Sequence, residues 1–301
     1  MFPRSWLFHL AGQAFVVICA EAGNEGRESI GEWGDTWVSS AHGVEARHSE
    51  AWRTPGVAQV FTGKFDGRTT RSVILLDGIA SDWRSAAFTL HRRSLRECML
   101  WGGLNAEPGM LYNSYRCELK SFKGGGRLSH GVFDSFRKDE AVKALFAEVY
   151  GVDADRCVFG RGFGPLLVVQ NRTMVPDSAH EDICKPSVRH MLGISVITYP
   201  HDDWGPQWLG HFEVLQAKGG EPRTPVLRFS PQPNRTVVFD GCIEHRATNP
   251  AAASAPLREG SPISPGLSRI VGERGPSRSD FREWRFAFVL QLYCPYHSEE
   301  L

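Results

Sequence analysis

Residues 179–214 read AHEDICKPSVRHMLGISVITYPHDDWGPQWLGHFEV. They begin with a His-x-Asp pair, His180 and Asp182, and continue into an apolar run, Met191–Tyr199. A loop rich in Trp, Pro and Gly follows, and a second strand-like run begins at Phe212. Runs of β-branched and aromatic residues bounded by Pro, Gly and Asp are typical of strands. The segment is therefore predicted to place two ligand-type side chains next to the strands of a β-rich core.

The same kind of run recurs through the second half of the chain, where Val, Ile, Leu, Phe and Tyr are concentrated. The predicted strands are Leu166–Arg172, Met191–Tyr199, Phe212–Leu215, Val226–Phe229, Thr236–Asp240 and Arg285–Tyr293. No segment repeats at a fixed period, which excludes solenoids and propellers. Strands that follow helices without regular alternation indicate an α+β chain with a mainly β core, built as a closed or sandwich-like sheet.

Two helices are predicted in the first half of the chain. From Ser81 to Trp101, apolar residues recur at roughly helical spacing. A clearer amphipathic helix is predicted from Asp134, as its N-cap, to Tyr150, with Gly151 at its C-terminal end. A strand is predicted between these helices, over residues 112–122.

We predict an irregular or partly disordered extension over residues 1–70, rich in Gly, Ser, Glu and Arg, followed by a single domain over residues 71–301. Within that domain, residues 80–156 are expected to supply helical support and residues 157–300 the β core. The stretch 251–279 is rich in Pro, Gly and Ser, and connections of this length are functional lids or disordered. We expect a lid-like insertion there.

The overall charge says little about partners. Lys plus Arg and Asp plus Glu number 34 each, so no general field favours nucleic acid or an anionic membrane. Apart from the N-terminal run, no segment is long enough to span a bilayer. We expect no nucleic-acid partner and no membrane span.

The seven cysteines show no C-x-x-C pair and no zinc-like spacing, which in a chain of 301 residues is typical of buried thiols in a reducing compartment. A cytoplasmic location is therefore expected. The alternative is a signal peptide over residues 1–22, which would leave six cysteines and direct the chain to the endoplasmic reticulum or secretion.

Side chains two residues apart on an extended chain point to the same side, so His180 and Asp182 can face one ion together. His245, just beyond a predicted strand, can supply a third ligand. Two histidines and one carboxylate leave three open positions on an octahedral ion, which suits non-haem Fe(II) in oxygen chemistry. The His-x-acid pair alone does not identify the site, because His201-x-Asp203 and His211-x-Glu213 have the same form.

The order of segments after His180 is more specific than the pair. It runs from Arg189 through the apolar strand ending in Tyr-Pro, an Asp-Trp-Gly loop, the Gly-x-x-Glu segment Gly210–Glu213, and the sequence PQPNRTVVFD to His245. Over about residues 166–293 this order resembles the Fe(II)- and 2-oxoglutarate-dependent dioxygenases, in their prolyl-4-hydroxylase-like branch.

The resemblance implies a double-stranded β-helix, a cupin-like jelly roll, supported by N-terminal helices. It implies Fe(II) held by His180, Asp182 and His245, with 2-oxoglutarate and O₂ as co-substrates. The expected reaction is hydroxylation of an unactivated C–H in a small molecule, amino acid or peptidyl substrate, with release of succinate and CO₂. Because Asp182 occupies the carboxylate position, hydroxylation, desaturation or ring closure is expected rather than halogenation.

In the resembled family a basic residue binds the far carboxylate of 2-oxoglutarate. Arg285 is our choice, because in RFAFVLQLY it shares the small and polar strand face predicted to look into the barrel. A guanidinium also suits a bidentate carboxylate grip. Arg269 and Arg282 are the alternatives.

Further pocket residues are predicted from their places along the strands. Thr198 and Tyr199, at a strand end, are candidates for a hydrogen bond to the cofactor, although packing is favoured for the aromatic ring. The candidates for the substrate pocket are Gln170, Arg172, His211 and Trp204.

Two other classes of function remain open from sequence. One is a catalytically silent jelly-roll binding module, which would have lost a ligand or the 2-oxoglutarate-binding base. The other is a cupin-type metal enzyme without 2-oxoglutarate that uses His201, His211 and Glu213. A requirement for 2-oxoglutarate separates the oxygenase from both.

Overall fold

The structure is a computed structural model. It describes residues 28–30, 36–38, 43–49, 57–77, 99–101, 114–118, 136–159, 166–171, 178–184, 190–199, 204, 209–216, 223–248 and 284–297. All statements about the structure refer to these residues.

The described chain forms fifteen strands and a helix, α1 (Glu140–Tyr150), which is followed by a 3-10 turn, Ala154–Arg156. The strands are β1 (Glu28–Ile30), β2 (Thr36–Val38), β3 (Glu45–His48), β4 (Val57–Gly63), β5 (Arg71–Asp77), β6 (Met99–Trp101), β7 (Ser114–Glu118), β8 (Val158–Phe159), β9 (Leu166–Asn171), β10 (Met191–Thr198), β11 (Phe212–Gln216), β12 (Thr224–Phe229), β13 (Thr236–Asp240), β14 (His245–Ala247) and β15 (Trp284–Pro295). All six strands predicted in the second half of the chain are confirmed, as β9 to β13 and β15.

The strands form two antiparallel sheets. The major sheet has the order β3-β4-β5-β13-β10-β15-β9-β7-β6, with β8 also paired to β15, and the minor sheet has the order β1-β2-β12-β11-β14. From β10 onward the chain passes to the minor sheet for β11 and β12, returns for β13, crosses for β14 and returns for β15. This alternate winding between two facing sheets is a double-stranded β-helix, so the predicted jelly-roll fold is confirmed.

The inner faces of the two sheets enclose one apolar cluster. It includes Val237 and Phe239 from the major sheet and Phe212, Val214 and Leu227 from the minor sheet. The alternating direction of side chains along a strand explains why Phe239 is inside the barrel while its neighbour on the strand points out.

The outer face of the major sheet packs under α1. Leu145 and Phe146 of the helix share a second cluster with Val196, Val238 and Leu290. The predicted division of β15 is thereby confirmed for Phe288, Leu290 and Leu292, which lie under the helix, and for Ala287 and Val289, which face the inside of the barrel.

The predicted amphipathic helix is confirmed over Glu140–Tyr150, and residues 136–138 are helical too, with an interruption at Asp139. Its N-cap is Asp139, whose side chain accepts hydrogen bonds from the Ala141 and Val142 amides. At the other end, Gly151 adopts φ 64°, a left-handed conformation that closes the helix. The predicted cap, Asp134, lies outside the described residues.

The predicted helix Ser81–Trp101 falls mostly outside the described residues, but its C-terminal end is wrong. Met99–Trp101 is strand β6 and pairs with β7, in the register Met99↔Arg116. Sheet pairing therefore overrides a local helical pattern at these three residues. The insertion 251–279 also lies outside the described residues.

Within the predicted extension of residues 1–70, four strands are described. β4 pairs along its whole length with β5, β3 pairs with β4, and β2 pairs with β12. These strands extend both sheets of the barrel. The division of the chain at residue 70 stays a prediction.

Four cysteines form two disulfides, Cys157–Cys294 and Cys184–Cys242. The expectation of free buried thiols is wrong for these four, because the fold brings cysteines that are 137 and 58 residues apart side by side. No helix among the described residues is long and apolar enough to cross a bilayer.

Candidate metal centre

Three ligand-type side chains predicted from sequence meet at one end of the barrel. One ligand atom each from His180, Asp182 and His245 lies within 4.8 Å of the other two. The Asp182 carboxylate faces both imidazoles, with Oδ1 at 3.6 Å from His180 Nε2 and Oδ2 at 3.7 Å from His245 Nε2. These separations exceed a hydrogen bond, which leaves space for an ion between the groups.

Each imidazole is held by the nitrogen that faces away from the carboxylate. Nδ1 of His180 lies 2.8 Å from the Ser178 carbonyl oxygen, and Nδ1 of His245 lies 3.0 Å from the Ile243 carbonyl oxygen. A carbonyl only accepts hydrogen bonds, so each Nδ1 carries the proton and each Nε2 presents a lone pair. This second hydrogen bond is typical of metal-binding histidines, and the donor set fits a divalent ion.

Backbone pairing brings the two ligand segments together. His180 and His245 form an antiparallel bridge, with amide-to-carbonyl distances of 3.0 and 2.9 Å. The Asp182 amide donates to the Gly241 carbonyl at 3.0 Å. Extended backbone at residues 180–182 therefore directs both side chains to one side, as their spacing predicts.

Two glycines make room for this pairing. A methyl group at Gly193 would lie 2.3 Å from the Ile183 carbonyl oxygen, and one at Gly241 would lie 2.7 Å from Ile183 Cγ1. Ile183 is buried between them, next to the ligand Asp182. The ligand segment can lie this close to β10 only because both positions lack a side chain.

Ser195 orients the metal-facing carboxylate. Its hydroxyl donates to Asp182 Oδ2 at 2.6 Å. Ser195 is fully buried in β10, and its strand parity is that of Ile197 and Tyr199 in the inner cluster, so it faces the inside of the barrel. Ser195 is not among the residues predicted from the sequence, although a serine inside an apolar strand is a usable signal.

Gln291 faces Ser195 across the β10–β15 pair. Its side chain is 8% exposed, and its Oε1 atom is buried with no hydrogen-bond partner among the described residues. An acceptor buried without a partner costs free energy, so this amide is available to a bound molecule.

The site is apolar on one side and open on the other. His245 is enclosed by the rings of Phe212 and Phe239, whose centroids lie 5.2 and 4.6 Å from its own. The side chain of His245 is 5% exposed, whereas that of His180 is 34% exposed. Solvent and ligands therefore reach the triad from the His180 side.

Arg285 lies inside the barrel, as predicted. It is 2% exposed and belongs to the face of β15 that carries Ala287. Its Nη1 donates to the Gly210 carbonyl at 2.8 Å. A guanidinium in this environment is a strong site for a carboxylate. The alternatives, Arg269 and Arg282, lie outside the described residues.

The structure does not bring Thr198 to the inner face. Its hydroxyl lies 2.5 Å from that of Thr236, and both side chains point toward the helix-covered side with Val196 and Val238. Strand alternation is the reason, since Thr198 has the opposite parity to Ser195. The predicted cofactor contact at Thr198 is therefore corrected.

Two predicted aromatic residues are packed in the fold. Tyr199 belongs to the inner apolar cluster, and its amide donates to the Arg235 carbonyl at 3.0 Å. Trp204 is 1% exposed, and its Nε1 donates to the Leu209 carbonyl at 3.2 Å. Both positions are compatible with packing, and their contacts with a cofactor or substrate stay predictions.

His211 is buried next to several charges. Burial lowers its pKa to about 4, with a further lowering from Arg228 and, less, from Arg285, and an opposing rise from Glu213. Its Nε2 is buried without a hydrogen-bond partner among the described residues. The ring is therefore neutral at pH 7. Of the other pocket candidates, Gln170 is in register with Arg285, and Arg172 lies outside the described residues.

The cupin-type ligand set is not assembled in the described part of the chain. Glu213 Oε1 lies 2.7 Å from Arg228 Nη2, and its Oε2 lies 2.7 Å from Arg246 Nε. Both carboxylate oxygens are thus bound to arginines and leave no free ligand atom. His201, the third member of that set, is outside the described residues.

Among solved structures, the chain is similar to 2-oxoglutarate and Fe(II) oxygenases. One is a prolyl hydroxylase from Trichoplax adhaerens, in complex with a peptide fragment of the hypoxia inducible factor oxygen degradation domain (9% identity, 74% of this chain and 83% of that chain covered, TM-score 0.43). A Pseudomonas putida prolyl-4-hydroxylase is 14% identical over 75% of this chain and 93% of that chain, with a TM-score of 0.37. HygX from Streptomyces hygroscopicus, with nickel, 2-oxoglutarate and hygromycin B bound, is 10% identical over 74% and 82%, with a TM-score of 0.41.

No protein-family model matches the sequence, and no curated protein matches it.

Proposed function

We propose that this protein is an Fe(II)- and 2-oxoglutarate-dependent dioxygenase that hydroxylates an unactivated C–H of a small-molecule, amino-acid or peptidyl substrate. The observation that carries the proposal is the arrangement of His180, Asp182 and His245, whose ligand atoms lie within 4.8 Å of one another. Both imidazoles present Nε2 to the same carboxylate. Two histidines and one carboxylate suit Fe(II) that must also bind O₂ and a co-substrate.

The proposed reaction balances with 2-oxoglutarate as the reductant. One oxygen atom of O₂ enters the substrate as a hydroxyl, and the other enters succinate as 2-oxoglutarate loses CO₂. The chemistry supplied by a bound Fe(II) is the coupling of this decarboxylation to C–H oxidation.

The protein's own residues hold and shield the reacting groups. Ser195 fixes one carboxylate oxygen of Asp182, and backbone carbonyls fix both imidazoles. Phe212 and Phe239 exclude water from the side of His245.

Arg285 supports the choice of 2-oxoglutarate over a site that uses metal alone. Its guanidinium is 2% exposed inside the barrel, where Nη1 donates to the Gly210 carbonyl, and a guanidinium suits a bidentate grip on a carboxylate. A dicarboxylate would use one end at the metal and the other at Arg285. This assignment also separates the proposal from the silent-module alternative, which requires a lost base.

The experiment is an anaerobic titration of purified protein with Fe(II) and then 2-oxoglutarate, followed by the visible metal-to-ligand charge-transfer band. We expect a band in the wild type and none in His180→Ala. Arg285→Ala is expected to weaken 2-oxoglutarate binding by about 10- to 100-fold, the loss of a charge-assisted hydrogen bond. Arg285→Lys keeps the positive charge but loses the two parallel N–H donors of the guanidinium, so its affinity for 2-oxoglutarate should lie between those of wild type and Arg285→Ala.

Arg269→Ala and Arg282→Ala are the matched controls, because they remove the same charge at the two alternative positions. A band that depends on either of them and not on Arg285 would reassign the 2-oxoglutarate base. A folded, metal-loaded wild type with no band would overturn the oxygenase and favour a binding module.

The compartment is also inferred from the site's surroundings. Disulfides persist in oxidising compartments and are rare in the cytosol. The pairs Cys157–Cys294 and Cys184–Cys242 therefore favour the endoplasmic reticulum or secretory alternative over the cytoplasmic one. Trapping of thiols in the cell before lysis tests this, since cytosolic protein would show all four cysteines alkylated.

A further inference from the structure

One disulfide joins the two segments that carry the metal ligands. Cys184 follows Asp182 by two residues, and Cys242 precedes His245 by three. The segment 180–184 provides two ligands and the segment 241–245 provides the third. The bond Cys184–Cys242, here called the ligand-loop disulfide, is thus a covalent link between the two halves of the triad.

In the described part of the chain, three backbone hydrogen bonds also link these segments. They are the two hydrogen bonds of the His180–His245 bridge and the bond from the Asp182 amide to the Gly241 carbonyl. All three bonds join residues 180–182 to residues 241–245. The side chain of His180, at one end of this pairing, is partly exposed to solvent. Hydrogen bonds near a solvent-exposed edge open more readily than those in a core, so a covalent link at the other end limits that opening.

We propose that the ligand-loop disulfide positions the metal ligands, and that its reduction releases the metal. This rests on the proposed function, because it concerns the same triad. Reduction by a cellular dithiol would transfer two electrons and two protons to the bond. The S–S bond breaks, two thiols form, and the dithiol becomes a disulfide. The centre would then hold its metal tightly only where the pair stays oxidised.

The chain supplies a matched control. Cys157–Cys294 links the residue after the 3-10 turn to β15, and both cysteines are buried in the cluster under α1. Neither of its segments carries a ligand of the triad. Its removal tests the general effect of losing a disulfide on the barrel, without an effect on the ligand segments.

The test measures metal affinity with no 2-oxoglutarate present, by anaerobic titration of the full chain with Mn(II) or Fe(II). The double variant Cys184→Ser/Cys242→Ser should bind the metal about 10- to 100-fold more weakly than wild type, the usual effect of losing support around metal ligands. Cys157→Ser/Cys294→Ser should stay within about threefold of wild type by the same comparison. Serine is used because free thiols are themselves metal ligands.

If the first double variant fails to fold, the effect of reduction is measured in Cys157→Ser/Cys294→Ser. Among the described residues, the ligand-loop disulfide is the disulfide that this variant retains. The metal affinity of this variant is measured in three samples. The first keeps the disulfide oxidised, the second is reduced and its thiols are alkylated, and the third is reduced and then reoxidised without alkylation. A reversible loss on reduction supports the proposal. Unchanged affinity in folded, reduced protein overturns it, and so does an equal loss in both double variants.

These outcomes are separable from the oxygenase assignment. Metal binding that responds to the disulfide, with no charge-transfer band on adding 2-oxoglutarate, would retain this proposal and overturn the co-substrate. A wild type that binds no metal in the oxidised state would overturn both.

Discussion

Replacement of Gly193 by alanine is expected to disable the metal centre while the barrel still folds. The added methyl group would lie 2.3 Å from the Ile183 carbonyl oxygen, whereas real Cβ contacts essentially never fall below 3.0 Å. The Ile183 carbonyl must therefore move by at least the difference, 3.0 minus 2.3, or 0.7 Å. Because the neighbouring peptide units are planar and stiff, much of this shift reaches Asp182.

The size of the shift decides the outcome. Functional constellations must be held to within about 0.5 Å of their working geometry, so this displacement exceeds what a metal site tolerates. We expect metal affinity to fall on the order of 100-fold, at the upper end of the effects of lost support around metal ligands. Overpacking should cost about 1–3 kcal/mol of unfolding free energy, which a barrel of this size survives.

The assay pairs anaerobic Mn(II) or Fe(II) titration with urea denaturation of each variant. Gly241→Ala is the comparison, because its methyl would meet the Ile183 side chain, Cγ1 at 2.7 Å, with the nearest backbone atom at 3.2 Å. Addition of Ile183→Ala removes that side-chain contact and should restore much of the affinity of Gly241→Ala. It should not restore Gly193→Ala, whose obstacle is backbone, and a double-mutant cycle separates the two cases.

A folded Gly193→Ala protein with wild-type metal affinity would refute the reasoning. So would equal rescue of both glycine variants by Ile183→Ala, since the backbone contact would then have no role.

Two further predictions concern groups around the site. Ser195→Ala removes the hydroxyl that holds Asp182 and should weaken metal binding about tenfold. Thr198→Val removes a hydroxyl that is hydrogen-bonded to Thr236 on the other face of the sheet, and it should leave metal affinity unchanged. Equal effects of the two substitutions would contradict the assigned faces. Because the pKa of His211 is lowered to about 4, its imidazole stays neutral in the folded protein between pH 6.5 and 4, whereas in the unfolded chain it takes up a proton. The unfolding free energy should therefore fall as the pH drops through this window, by roughly 2–3 kcal/mol at pH 4.5. Urea denaturation of His211→Gln at pH 7 and 4.5 should show a smaller loss of unfolding free energy between these pH values than wild type does. The same loss in both proteins would contradict the prediction.

The β core was predictable because local pattern and burial agree there. β10 reads as a continuous apolar run and is buried on both faces, one against the helix and one in the barrel. At Met99–Trp101 the two signals disagree, and the long-range partner, β7, decides the structure. A pattern read from neighbouring residues contains no information about such a partner.

The site shows the same division between local and long-range information. The spacing of His180 and Asp182 predicts that they share a side, but their distance from His245 depends on a bridge between residues 65 positions apart. The cysteines two residues after Asp182 and three before His245 were visible in the sequence, yet their pairing follows only once that bridge is known.

Strand parity explains why one hydroxyl prediction needed correction and a better one was missed. Thr198 and Ser195 lie on the same strand, but they are three positions apart, an odd offset, so they face opposite sides of the sheet. Arg285 faces the inside of the barrel, and Gln291, six positions further along β15, faces the same way. Ser195 pairs with Gln291 and therefore also faces inward, whereas Thr198 faces outward. The face of β15 was readable from its alternation, whereas β10, apolar on both faces, gave no parity of its own, so the register between the two strands supplied what the sequence lacked.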